Sequence, residues 1–524
     1  MSRIKRAAVT AGFGYAQYGV AIASGIVLVP LTIHRVGATA YGLWLASGEV
    51  LGHAGMVELG VLGVLPWMIA EADGKNHRVA MRRLVGQGVT VASLVGCAYL
   101  ALSVLGWRLL PGMLHLTAAD RRTIFGPLAI LVVANAISYP LRVFQGVLAG
   151  LQDVYFNGAL SLVNAITSAT LTAVLLLRGQ LLLALALGAA LPSVLTLVAA
   201  FIRITLVAPD LLTGWARPSL AGIRPLVANG TGVWLGSIGW ALVAATNGIV
   251  ITYLGHPEWV AIYACTSKLS AVSTQLAWIL PDSGLVGLAQ LYGEHREPGK
   301  LGHVVVMMLR LHFLLAGAAA CGFLAFNPAF VSRWVGAAYF GGLLLNGLLA
   351  ASIVASSIGH GLITAASVLG NRPRVGAVTL VNGVVQAVLA LLLGRAFGLV
   401  GIACAGLIAG LLTAVPAAIV LLHPSTQLTI GRVTREIVGP WILRIAPLVA
   451  AAAAAGWFHR LLGLVPSAAL AAAIVTAYAW QMRPWYATLP LGPRVAWWLV
   501  RLGLMTPIEP IAMPRRSAIT LEQA

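Results

Sequence analysis

The sequence predicts an all-α polytopic membrane protein of about 14 transmembrane helices. They form two pseudo-symmetric six-helix lobes, as parallel repeats around a central cavity, plus two C-terminal helices. Three observations carry this. Hydrophobic residues make up 60% of the chain and charged residues only 9%, with a mean hydropathy of +0.93; a soluble domain averages about a quarter charged residues. Apolar runs of about twenty residues, the length that crosses a core of roughly 30 Å, recur along nearly the whole chain. Finally, Leu162-Val163-Asn164 returns as Leu380-Val381-Asn382, and hydropathy and punctuation around it repeat with an offset of about 218 residues.

The first run, 7–33, follows Arg3, Lys5 and Arg6. It is too long for a signal-peptide core and no small-residue cleavage motif closes it, so it is expected to stay as the first span. Arg35-Val36-Gly37 separates it from 39–70, and a polar loop with Gly74, Lys75, Arg78, Arg82 and Arg83 leads into 84–110. Arg121 and Arg122 precede 124–150; Arg178-Gly179 divides 155–177 from 181–207. The longest connection holds Pro209, Asp210, Gly214, Arg217 and Pro218, and then the pattern restarts. Span 225–254 closes on Leu254-Gly255, 258–291 meets a polar loop at Gly293, 302–332 stops before Arg333, and 341–369 before Gly370-Asn371-Arg372-Pro373-Arg374. Gly394-Arg395 lies between 375–394 and 398–422; Arg432 and Arg435 precede 437–458, and Arg460 precedes 462–482. The expected organisation is a first lobe over 1–207, a linker over 208–224, a second lobe over 225–422, two additional helices within 423–482 and a tail over 483–524. Six helices precede the restart, so both halves enter the membrane in the same sense, as parallel repeats do in transporters. Trp497, Trp498 and Arg501 read as an interfacial anchor in the tail.

A net charge of +19 would suggest nucleic acid in a soluble chain. Here the basic residues set topology. With the amino terminus in the cytoplasm, most arginines and lysines fall on that side, which fits the positive-inside rule with both termini cytoplasmic. Anionic membrane lipids, and no nucleic acid, are the partners this surface implies. Cys97, Cys265, Cys321 and Cys404 lie in apolar runs without ligand spacing, so neither metal nor disulfide is expected. No GxxxxGK[ST] loop occurs, no cofactor is expected, and the energy source must be an ion gradient, membrane potential or downhill sugar consumption.

Several phrases carry a family resemblance. They are Pro30-Leu31-Thr32 through Arg35-Val36-Gly37 to Ala40-Tyr41-Gly42-Leu43-Trp44, Glu58-Leu59-Gly60 before Ile69-Ala70-Glu71-Ala72, and Phe144-Gln145-Gly146-Val147-Leu148-Ala149-Gly150. In the second half, Trp334-Val335-Gly336 and Phe397-Gly398-Leu399-Val400-Gly401 continue the pattern. In order and spacing, over roughly residues 5 to 422, the chain resembles the polysaccharide flippases (Wzx-like, O-antigen transporter type) of the multidrug/oligosaccharidyl-lipid/polysaccharide exporter superfamily. The resemblance implies two helical lobes around a central cavity and translocation of undecaprenyl-diphosphate-linked oligosaccharide units across the bacterial cytoplasmic membrane. It leaves a polysaccharide polymerase open as a partner. The family has no strict catalytic motif to transfer, and the chain is not expected to be an enzyme.

Site residues follow from depth. An Asp, Lys or Arg at a helix centre costs about 2.5–3.5 kcal/mol on insertion scales, so such residues face a bundle interior or wet cavity. Glu49, Arg142 and Lys268 each sit roughly 15–17 Å from a span end. On the fourth span Asn135, Ser138, Arg142 and Gln145 share one helical face, with Pro140 expected to bend it. Lys268, Gln275, Trp278 and Asp282 share another on the eighth. Arg142 and Lys268 suit a diphosphate, while Asn135, Gln145, Gln275 and Trp278 suit sugar hydroxyls and ring faces, and Asp282 suits either a cavity or a pairing role. Glu49 and His53, at i and i+4, and His360, which the offset superposes on Arg142, are candidates for ion coupling. The bland readings are a Lys268–Glu49 ion pair, Arg142 paired with another acid, Glu58 capping or pairing at the lobe edge, and His360 in small-residue packing. Arg310 and Arg444 are expected to snorkel. A multidrug exporter of the same superfamily should show an acid-rich cavity, whereas the deep charges here include two cations. A lipid-II flippase is the nearest alternative. A membrane polymerase or ligase would need a large catalytic loop, and none is long enough.

Overall fold

Backbone polar groups immersed in lipid must be satisfied within the segment or in a closed barrel. The computed structural model takes the first solution, with no strand among the described residues. It describes residues 3–503 apart from 59, 152, 216–218, 283–284, 286–287, 289–297, 370–371, 487, 490–499 and 502. The first lobe holds α1 (Arg3–Val36), α2 (Ala38–Ala54), α3 (Val61–Gly74), α4 (Arg78–Met113), α5 (Ala118–Gly150), α6 (Val154–Leu177) and α7 (Leu181–Val207). The second holds α8 (Leu220–Ala245), α9 (Asn247–Tyr253), α10 (Pro257–Asp282), α11 (Pro298–Trp334), α12 (Leu343–Leu369), α13 (Arg372–Ala409) and α14 (Val415–Thr426). After these come α15 (Ile430–Val433), α16 (Gly439–Trp457), α17 (His459–Leu462), α18 (Leu464–Gln481) and α19 (Arg483–Tyr486). With α2 and α3 making one crossing, α8 and α9 another, and α13 doubling back at Gly398 (φ 60°), the count is about fourteen.

The duplication is written in backbone conformation and in hydrogen bonds. Gly37 and Gly255, matched by the offset, adopt φ of 89° and 90°. Glycine enters that region freely because it has no Cβ, so each ends one helix and starts the next. The matched asparagines also repeat a contact. Thr196 donates to Asn164 Oδ1 at 3.4 Å, and Thr413 to Asn382 Oδ1 at 2.8 Å. Between helices in lipid such bonds contribute about 0.6–2 kcal/mol each.

The structure departs from the simple reading of the second and seventh spans. The run 39–70 breaks into α2, a 3-10 turn over Gly55–Glu58, and α3, with Gly60 at φ 68° packed on the Gly230 backbone of α8. The seventh span breaks between Ala245 and Asn247. Against α13, α8 lies backbone to backbone: Gly232 faces Gly376, and Gly239 faces Thr379 and Gly383. Small residues permit this approach, and dispersion between the two backbones holds it.

Where α1 ends and α2 begins, the lobes are sealed. Gly42 abuts the Pro257 carbonyl, Trp334 Nε1 donates to the Ile26 carbonyl at 2.6 Å, and Ile33, Tyr41, Cys265, Phe330 and Val331 pack together across the seam. Beyond the second lobe, α16 and α18 dock on α11. Trp441 donates to the Tyr478 hydroxyl at 3.0 Å, which donates to the Phe313 carbonyl at 3.1 Å. Arg310 differs from the snorkelling expectation. Its Nη2 reaches the Glu436 carbonyl in a π-helical turn at 3.4 Å, tying α11 to that turn. Arg444 donates to the Pro440 carbonyl one turn back, at 2.9 Å.

Candidate functional site

A cavity of about 450 Å³ lies where α2, α3, α4 and α5 of the first lobe meet α8 of the second. Arg142, Asn135 and Tyr139 come from α5, Glu58 from the break in the second span, and Trp234 and Ser237 from α8. Pro140 has no N–H to give the Ala136 carbonyl, and that carbonyl faces Gly96 of α4, where a side chain would not fit. Helix α5 runs unbroken through Pro140, and Arg142 lies on the cavity wall with its guanidinium 5.1 Å from the Tyr139 ring centroid. Glu58 is close enough to feel that charge, but no ion pair joins them among the described residues. Asn135 sits beside the Tyr99 hydroxyl.

Arg142 also borders a second space of about 530 Å³, between α1, α5 and α6, lined by Gln17, Gln145, Asp153 and Asn157. The four-residue face of the fourth span is therefore divided. Asn135 opens on the central cavity and Gln145 on the outer one, while Ser138 is buried and bonded to the Ala134 carbonyl. Arg142 belongs to both. Sequence reasoning missed the neighbouring Arg203–Asp153 pair at 2.9 Å, which neutralises the acid on this outer wall.

The stripe on the eighth span is divided too. Lys268 runs against Gly25 of α1, and Gln275 is exposed. The Lys268–Glu49 pair is not formed. Glu49 instead accepts from the Ile249 backbone N–H at 3.0 Å and covers Gly248, capping the first turn of α9 across the lobe seam. A carboxylate on unsatisfied N–H groups at a helix start is a favourable placement. The His53 side chain lies outside the described residues.

Trp278 and Asp282 face the interior of the second lobe. His360 Nε2 meets both Asp282 oxygens at 3.0 and 3.1 Å, and its ring stacks on Trp278 with centroids 3.9 Å apart. Trp278 Nε1 donates to Ser357 Oγ at 3.1 Å, and Trp240 meets the Trp278 ring edge-on at 5.9 Å. His312, another residue the sequence did not single out, lies 6.1 Å from His360. Its Nδ1 is bonded to the Met308 carbonyl, and its Nε2 is buried without a partner. Trp240, Trp278 and His360 border a cavity of about 300 Å³ between α8, α10, α12 and α13. Helix α8 thus carries a cavity on each side: Trp234, Ser237 and Ala241 line the central one, Trp240 and Val243 the other.

Solved structures share this arrangement at low sequence identity. The lipid II flippase MurJ in an inward closed conformation superposes with a TM-score of 0.67 at 10% identity, covering 89% of this chain and 97% of that one. An inward-facing multidrug resistance MATE family transporter of the MOP superfamily gives 0.63 at 16% identity, covering 82% and 95%. The chain has the fold of these transporters. An outward-facing MATE family transporter matches at 0.58, with 15% identity over 84% of this chain and 96% of that one. No family model matches the sequence, and no curated protein matches it.

Proposed function

We propose that the chain flips undecaprenyl-diphosphate-linked oligosaccharide units across the bacterial cytoplasmic membrane by alternating access, for surface polysaccharide synthesis. Both termini lie in the cytoplasm, and the basic tail rests on anionic lipid. The observation that carries this reading is Arg142, a deep cation on the wall of two cavities with no ion-pair partner among the described residues. Desolvated arginine is costly unless something anionic visits it, and its planar fork binds phosphate oxygens in pairs. Lys268, against α1 at the lobe seam, supplies a second cation. Asn135, Gln145 and Gln275 remain proposed contacts for further hydroxyls of the oligosaccharide and Trp278, in the second-lobe cavity, for a sugar ring, with a polysaccharide polymerase the proposed receiver. The Asp282–His360 pair is the proposed coupling element, because a proton placed on it changes the charge of a lobe interior; Glu49 and His53 stand at the seam where such coupling acts.

Complementation of a deletion strain with Arg142→Ala, Lys268→Ala and the double variant tests this. Each charge-assisted contact contributes roughly 1.5–3 kcal/mol, so each single variant should lose about ten- to a hundredfold in flux. Undecaprenyl-linked intermediates should accumulate on the cytoplasmic face at unchanged membrane abundance. Full surface polymer from the double variant would sink the cationic-cavity reading, altered drug resistance in its place would favour a multidrug exporter, and accumulated peptidoglycan precursor a lipid-II flippase.

A further inference from the structure

The second-lobe cavity differs in chemistry from the central one. Its one ionisable imidazole, His360, is already bonded to Asp282 at 3.0 Å, so no free charge faces the space among the described lining residues. Three amides line it, and each is anchored by one end only. Asn247 Nδ2 donates to the Tyr263 hydroxyl at 3.4 Å, while its Oδ1 is buried without a partner. Asn382 Oδ1 accepts from Thr413 at 2.8 Å, leaving its NH2 group. Gln386 Nε2 donates to the Val243 carbonyl at 3.0 Å, leaving its Oε1. An amide held by one end presents the other at a fixed angle, so Asn382 and Gln386 are a preorganised donor and acceptor, while the Asn247 Oδ1 behind them is closed off from the space. Beside them stands Trp240, 50% exposed, with its edge on Trp278.

Unpaired neutral amides next to an available indole face suit a ligand that offers hydroxyls around its rim and a weakly polar C–H face. A cationic drug would find no counter-charge here, and a phosphate no cation. At about 300 Å³ the space is at the small end of the roughly 300–1,000 Å³ range of small-molecule sites: it takes one ring and not a chain. We propose that this cavity is a binding site for a single neutral pyranose, on the opposite side of α8 from the site for the anionic group. The assignment rests on the transport reading for its cargo class, and it gives the sugar end of that cargo a seat of its own.

The test uses the purified full-length chain in a detergent without a sugar headgroup. Tryptophan fluorescence and melting midpoint are followed against methyl glucoside, N-acetylglucosamine and glucuronate, and separately against inorganic diphosphate. At least one neutral sugar should quench the emission and raise the midpoint. Trp240→Leu should weaken that response by roughly tenfold, equivalent to 1.4 kcal/mol. Asn382→Ala, which keeps the aromatic wall, should weaken it as well, so a folding defect at Trp240 does not decide the outcome. Arg142→Gln should keep the sugar response and lose that to diphosphate. Silence toward every neutral sugar would overturn the proposal, as would a response to glucuronate alone. So would a sugar response that Arg142→Gln abolishes and Trp240→Leu spares, since the sugar would then sit in the central cavity. A wild-type chain that answers neutral sugar but not diphosphate would sink the cationic-cavity reading and leave this site standing.

Discussion

Gly42→Val should hold the lobes apart at the end where α1 meets α2. The new side chain would be driven into the Pro257 carbonyl, and that carbonyl belongs to the backbone opening α10, which cannot rotate away as a flexible side chain would. Forcing atoms into a filled contact costs roughly 1–3 kcal/mol, which raises the fraction of open seam by about five- to 150-fold. The chain carries its own reporter. Cys265 is 1% exposed within the seam cluster, so in a chain whose other three cysteines are alanine, maleimide should label it slowly. With Gly42→Val, labelling should accelerate by the same factor, and the flipping proposed above should fall, because alternating access requires this end to close. Labelling at the parental rate would show that the seal does not depend on the Gly42 contact.

Gly239→Val should prevent the second lobe from packing at all. A Cβ at that position meets the Thr379 and Leu380 backbones, and Gly383 of the same helix lies against the Gly239 carbonyl. No rotamer relieves backbone against backbone. The cost should reach or exceed the upper end of the 1–3 kcal/mol overpacking range, and detergent extracts should show aggregate in place of a monodisperse peak. Gly347→Ala is the matched control. It is a helical glycine of α12 with nothing within 4 Å, so it should be neutral or stabilising by about 0.5–1 kcal/mol. A monodisperse, normally melting Gly239→Val chain would mean that α8 and α13 can separate without loss of the lobe.

The crossings were legible because lipid enforces a simple code: about twenty apolar residues, then a charge or a glycine. Gly37 and Gly255 were readable for the same reason, as they punctuate matched runs and share one backbone conformation. The breaks were not legible. The run 39–70 reads as one span carrying Glu49, His53 and Glu58, and only the density of Gly48, Gly52, Gly55, Gly60 and Gly63 hinted that it turns on itself. Each polar helical face was assigned to one space, whereas Arg142 borders two cavities and Lys268 faces a different helix from Trp278. Partners distant in sequence escaped as well. Asp282 finds His360 from 78 residues away, and Glu49 finds a backbone N–H 200 residues away, a contact that carries no residue-type signature.

Helix α8 has Trp234 and Ser237 toward one cavity and Trp240 toward the other. A partition between two cavities can act as a balance beam. If binding on one side tilts or straightens it, the other side is reshaped too, and occupancy of the two spaces would then be thermodynamically linked. The linkage is reciprocal: if an anion in the central space tightens its neighbour's hold by some factor, the neighbour tightens the anion's hold by that factor. A cargo of the kind proposed above, carrying both chemistries, would then be sensed by both compartments through a single shared helix, with no relay through the rest of the lobe.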